Sequence, residues 1–73
     1  MIDMTYDPEA DAAYIYVGRG KIDRQQEAGQ FICDVDVQGR VLGIEILSAS
    51  KVLAPGSWQK SRRPGEAKVD AAE

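Results

Sequence analysis

Residues 31–47 alternate apolar and polar side chains on either side of a Gln38-Gly39 pair, and this period of two constrains the fold more than any other feature. With Gln38-Gly39 as the tip of a hairpin, Val37 faces Arg40, Val35 faces Leu42, Cys33 faces Ile44 and Phe31 faces Ile46. The last three pairs fall on one apolar face. The opposite face pairs Asp36 with Val41, Asp34 with Gly43 and Ile32 with Glu45. A slip of one residue would mix the two sets, so the pattern itself pins the register.

The same period runs upstream. In residues 13–17, Ala13, Ile15 and Val17 share one face while Tyr14 and Tyr16 share the other. Met4-Thr5-Tyr6 reads as a short first strand, joined to the next by Asp7-Pro8-Glu9-Ala10-Asp11, where Pro8 presets φ for a turn and Asp7 can accept backbone N–H bonds. Gly18-Arg19-Gly20 makes the next turn, and residues 21–27 are polar enough for an edge strand or a loop. Residues 48–53 suit one or two helical turns, with Ser48 as N-cap and Pro55-Gly56 as the stop. The fold class expected is therefore α+β, a small antiparallel sheet, as a meander of three to four strands, with a short C-terminal helix.

Composition changes at Ala54-Pro55-Gly56, after which only Trp58 and Val69 are large and apolar. This divides the chain into a sheet domain, 1–53, and a basic, mobile tail, 54–73, whose composition buries too little to offset the entropy of ordering. The domain has nine acidic and five basic residues, a formal charge of −4, whereas residues 57–68 carry +3. Nucleic-acid binding by Lys60, Arg62, Arg63 and Lys68 is disfavoured, because the whole chain, at −3, repels polyanions at long range.

The 73 residues include no histidine, which excludes Ser-His-Asp and Cys-His catalysis and imidazole ligation of a metal. The one cysteine, Cys33, forms neither an internal disulfide nor a cysteine-based zinc site, and on an apolar face it is an inert small hydrophobe. Met1-Ile2-Asp3-Met4 does not read as a signal peptide and no run approaches the length of a membrane span, so the expectation is a soluble, cytoplasmic protein with no membrane association.

Two blocks, residues 5–15 with Tyr6-Asp7-x-x-x-Asp11-x-x-Tyr14, and residues 39–51 with Gly43-Ile44-Glu45-Ile46-Leu47-x-Ala49-Ser50, resemble the bacterial domain-of-unknown-function family 2283 in order and spacing. They cover about half of the domain. The resemblance implies a small antiparallel sheet closed by a short helix. Members of this type are often encoded beside small toxin-like proteins, which by association implies an antitoxin-like, partner-binding role. The chain departs from the family pattern at Ala13, where a larger apolar residue is usual, and in everything after Leu53.

Among candidate sites, Tyr14 and Tyr16 form an aromatic patch outside the main core, and Trp58 with Arg62 and Arg63 forms an anchor flanked by cations. These five are the expected partner-binding residues. A scaffold this small, without disulfide or metal, commonly gains stability by association, so a homodimer is expected, together with a small protein partner. The function expected is a non-enzymatic protein-interaction module requiring no cofactor. The alternative is a domain that binds a small ligand or divalent metal through Asp7, Glu9, Asp11, Asp34, Asp36 and Glu45. Against it, residues 7–11 lack the glycine and distal glutamate of a calcium loop, and turns routinely use Asp to satisfy backbone donors. Glu45, between Ile44 and Ile46, is either a partly buried functional carboxylate or a solvated group paired with Lys51 or Arg40.

Overall fold

The computed structural model describes residues 3–65. The alternating segments become five strands: β1 (Asp3–Asp7), β2 (Ala12–Tyr16), β3 (Arg24–Ala28), β4 (Phe31–Val35) and β5 (Val41–Leu47). All neighbours are antiparallel, in the order β1-β2-β5-β4-β3. The sheet thus has one strand more than the upper expectation, because the polar segment before Gly29 pairs with β4 as an edge strand. It is not a simple meander, since β2 is followed by a crossing to the far edge. A fully exposed strand such as β3 carries no hydrophobic alternation, and its pairing with β4, Gln26 opposite Cys33, and the Gln25 side-chain bond to Asp34 hold it.

The register of the central hairpin is as the alternation requires for Phe31–Ile46, Ile32–Glu45, Cys33–Ile44 and Asp34–Gly43, but Val35 meets Val41 rather than Leu42. Two irregularities cancel. The tip is a three-residue loop in which the Gly39 N–H donates to the Asp36 carbonyl and the Asp36 N–H to the Arg40 carbonyl, both at 2.9 Å, with Gly39 at φ 82°. Val37 and Arg40 therefore do not face each other. This is a turn with a left-handed glycine, one residue longer than a two-residue hairpin. Leu42 then absorbs the extra residue as a β-bulge between Asp34 and Val35, restoring the phase. Asp36 fixes the tip by accepting from the Gln38 and Arg40 N–H groups and from Arg40 Nε, each at 2.9 Å.

One face of the sheet carries the core. Two cross-strand rows, Met4–Ile15–Ile44–Cys33 and Tyr6–Ala13–Ile46–Phe31, run over four strands. Their centre, Ala13 and Ile46, lies beneath Ala49 of a single-turn helix, α1 (Ala49–Val52), and all three are essentially inaccessible. Val52, Leu53 and Trp58 pack around them.

The start of α1 departs from the expectation. Ser48 sits at φ 54° and caps nothing with its side chain. Asp11, at the end of the β1–β2 turn, does so instead: its carboxylate accepts from the Ser50 N–H at 3.0 Å and the Ser50 hydroxyl at 2.7 Å, while its carbonyl accepts from the Ala49 N–H at 2.8 Å. The Tyr6 hydroxyl adds a further bond at 2.8 Å. A residue 39 positions away in sequence thus satisfies the helix's first donors.

These bonds give an acid-sensitive fold. Donation by Ser50 and then Tyr6 holds the Asp11 carboxyl below its ordinary value, and the Arg40 N–H, the Arg40 side chain and the Gln38 N–H do the same for Asp36. A carboxyl depressed in the folded state contributes stability above its unfolded pKa of about 3.9 that is lost as pH falls through the folded value. Thermal melting at neutral pH and below pH ~4 should show a steep acid limb, flattened in the Asp11→Asn, Asp36→Asn double variant. An unchanged acid limb in that variant would exclude these two groups as its source.

The composition boundary at residue 54 is not where packing ends. Residues 57–60 form a 3₁₀ turn (Ser57–Lys60) that brings the Trp58 ring edge-on to Tyr6 at 4.9 Å, with Trp58 Nε1 donating to the Ala54 carbonyl at 2.6 Å. Arg62 then forms a parallel bridge with Thr5, and its carbonyl accepts from the Tyr6 N–H at 3.0 Å. One large aromatic, placed correctly, orders a segment that composition alone reads as mobile. Lys68 and Val69 lie outside the described residues.

Candidate functional site

The helix and Trp58 cover one side of the sheet; among the described residues no helix covers the other, although Thr5 and Asp34 on it are buried. Its residues fall into two further cross-strand rows, Thr5–Tyr14–Glu45–Ile32–Glu27 and Asp3–Tyr16–Gly43–Asp34–Gln25, each crossing all five strands. Leu47, 40% exposed, and Tyr16, 45% exposed, are its most accessible apolar side chains, while Tyr14, Ile32 and Glu45 are half-buried.

A bonded line runs through the second row. The Tyr14 ring leans from β2 over Gly43, and its hydroxyl donates to Asp34 Oδ2 at 2.6 Å; Gln25 Nε2 donates to the other oxygen at 2.9 Å. Asp34 is only 6% exposed, so two donors compensate for its burial. Tyr14 and Tyr16 meet edge to face at 4.7 Å. Arg62 forms an ion pair with Asp3 and places its guanidinium 6.0 Å from the centre of the Tyr16 ring. Burial, followed by the bond to Asp34, pushes the Tyr14 phenol well above its ordinary pKa.

The five expected partner-binding residues do not form one surface. Tyr14, Tyr16 and Arg62 share the open face. Trp58 is on the other side, packed against the core, and so is not a free anchor. It packs against the cluster of Ala13, Ile46 and Ala49. Arg63 is exposed beside a shallow hollow lined by Asp7, Pro8, Glu9 and Pro64, with Nη1 donating to the Ser61 carbonyl at 3.0 Å.

The carboxylates of the metal-binding alternative are dispersed. Asp7 accepts from the Glu9 N–H, Asp11 caps α1, Asp36 holds the hairpin tip and Asp34 serves Tyr14 and Gln25. Among the described residues no three His, Cys, Asp or Glu side chains gather as a metal site. Glu45 pairs with neither Lys51 nor Arg40. It lies between its strand neighbours Tyr14 and Ile32 and makes no hydrogen bond or ion pair among the described residues.

Two features escaped sequence reading. The floor under Tyr14 is Gly43, and a mid-strand glycine is itself a signal of close approach. The second is a basic end: Arg19, Lys21 and Arg40 line an open cleft of about 430 Å³ between residues 19–23 and the hairpin tip, alongside Ile22 and Val37. Ile22 is 52% and Val37 78% exposed. Charges at turns read as solvation, and only the crossing from β2 to β3 brings these two loops together.

No helix among the described residues is long and apolar enough to cross a membrane. Neither the comparison with curated proteins nor that with solved structures finds a match. The family match spans the motifs of both blocks and ends within α1, and the geometry explains why those blocks hold together: Asp11 of the first, itself bonded by Tyr6, accepts from Ser50 of the second, and Tyr14 of the first packs over Gly43 of the second. The model of the family described as "Protein of unknown function (DUF2283)" matches residues 3–50, and the chain belongs to that family.

Proposed function

We propose that this protein is a non-enzymatic protein-interaction module whose binding surface is the open face of the sheet. The observation that carries this reading is that one side of the sheet is covered by α1 and Trp58, while the other exposes Tyr16 and Leu47 beside half-buried Ile32 and a Glu45 with no hydrogen bond or ion pair among the described residues. Aromatic and aliphatic side chains around a few polar groups are the composition of an interface core. An antitoxin-like role is the more specific form of the same reading. With Trp58 engaged in the fold, it rests on the face rather than on the tail.

The test is affinity purification of the full-length chain against Tyr16→Ala and Glu45→Lys variants, with folding checked by circular dichroism. Recovery of a stoichiometric protein, whether another chain or a second copy, that both folded variants lose supports the proposal. Recovery unaffected by either variant, or none with the unmodified chain, overturns it.

A further inference from the structure

The open face is acidic. The register places Asp3, Asp7, Glu27 and Glu45 on it, with Asp34 buried behind Tyr14, against Arg62 and, beside Asp7, Arg63. Two such faces laid symmetrically together would oppose carboxylate to carboxylate, which disfavours a two-fold dimer through this surface. The basic end has the opposite character. Its two carboxylates are already matched, Asp23 with Arg24 at 3.1 Å and Asp36 with Arg40 at 2.9 Å. Arg19 and Lys21 are left exposed, with no ion pair among the described residues. Beside them protrude Ile22 and Val37, the two most exposed large aliphatic side chains among the described residues.

Each surface therefore offers what the other lacks. The face has two carboxylates, Glu27 and Glu45, without an ion pair among the described residues, around Ile32 and the exposed Tyr16 and Leu47. The end has unmatched cations around exposed aliphatics. We infer that the occupant of the open face is a second copy of this chain, which docks through the basic end formed by residues 19–22 and the hairpin tip. The inference rests on the reading of the open face as a binding surface and names its partner. The pairing is heterologous, using different patches on the two copies, so it propagates head to tail and either closes as a ring or grows. Tyrosines on the face also suit arginine and lysine side chains from the incoming end.

The experiment measures self-association by sedimentation velocity across a concentration series at low and high salt. It compares the unmodified chain, a face variant (Glu27→Lys, Glu45→Lys) and an end variant (Arg19→Glu, Lys21→Glu). The fully exposed Glu27→Lys alone serves as the control that leaves packing intact. The unmodified chain should associate more strongly at low salt, and each double variant alone should associate roughly tenfold or more weakly. An equimolar mixture of the two double variants should recover association, because reversed face and reversed end are again complementary. An end variant that associates like the unmodified chain overturns the head-to-tail pairing while leaving the face as a binding surface. A monomeric unmodified chain at low salt and the highest concentration reached overturns self-association itself. Association that only the face variant loses points to a different partner surface and also rejects the inference.

Discussion

Gly43→Ala is expected to remove much of the domain's stability, although the change adds a single methyl group. Gly43 lies mid-strand in β5, so backbone conformation is not the obstacle. Space is. A Cβ there would fall 2.0 Å from the Tyr14 hydroxyl oxygen and 2.5 Å from Cζ, distances that force the ring away. Displacing it breaks the bond to Asp34, which leaves a buried carboxylate with Gln25 alone, and opens the contact with Tyr16. Overpacking of this kind costs about 1–3 kcal/mol, a large part of the ~3–5 kcal/mol available to a single core of this size. Urea or thermal unfolding measures the loss.

The same variant has a spectroscopic readout. Because the Tyr14 pKa is raised in the folded state, its contribution to stability is present below the ordinary phenol value of about 10 and is lost as pH rises through the folded value. In the unmodified protein Tyr14 should resist ionisation on alkaline titration followed by ultraviolet absorbance. In Gly43→Ala, with its bond to Asp34 broken, Tyr14 should ionise at lower pH than in the unmodified protein. Combining Gly43→Ala with Tyr14→Ala should cost less than the two changes added together, since the second removes what the first collides with. If Gly43→Ala melts like the unmodified protein and the resistant tyrosine persists, the ring has another place to lie and this account is wrong.

Trp58→Ala is expected to destabilise the fold by about 2–3 kcal/mol, less than the full cost of a deeply buried tryptophan because the indole is half-exposed. The loss includes its edge-on contact with Tyr6 and its cover over Ala13, Ile46 and Ala49. A small residue at position 13 and an aromatic supplied from beyond Leu53 pack together here. A larger apolar residue at position 13 should therefore recover part of the stability in a Trp58→Ala background, while overpacking the unmodified chain. Equal effects of that second substitution in the two backgrounds would show that the positions do not share space. A chain cut at Leu53 should likewise melt earlier, so loss of binding on truncation reports on folding before it reports on docking.

How much of this was legible in advance depends on whether a signal was local. The apolar faces of residues 13–17 and 31–47 were readable because burial on one side imprints a period of two, and the pairings from Phe31 to Asp34 followed from it. The error at Val35 and the exact length of the tip were not readable, since a left-handed Gly39 followed by a bulge at Leu42 leaves the downstream phase unchanged. β3 has no buried side and so no period to read. The cap on α1 was misassigned because Ser48 satisfies the local rule, while Asp11 wins through tertiary proximity. Tyr14 and Tyr16 were recognisable as facing away from the core, but which carboxylate Tyr14 would meet depended on strand order, which alternation does not encode. The contact of Trp58 with Tyr6 was not readable, because composition averages over a window and one packed ring escapes an average.

An open sheet has two rims along which further strands can hydrogen-bond, and each is a template for unwanted polymerisation. Here the rim next to Met4 and Tyr6 is occupied by the chain's own residues around Arg62, which take the Tyr6 N–H into a bond. The remaining rim displays Arg24, Gln25, Gln26 and Glu27, all exposed and none apolar. The segment that follows the sheet in sequence thus acts as a built-in guard on its more adhesive border. Sheet-to-sheet growth is confined to the polar border, where adding another strand gains no hydrophobic contact.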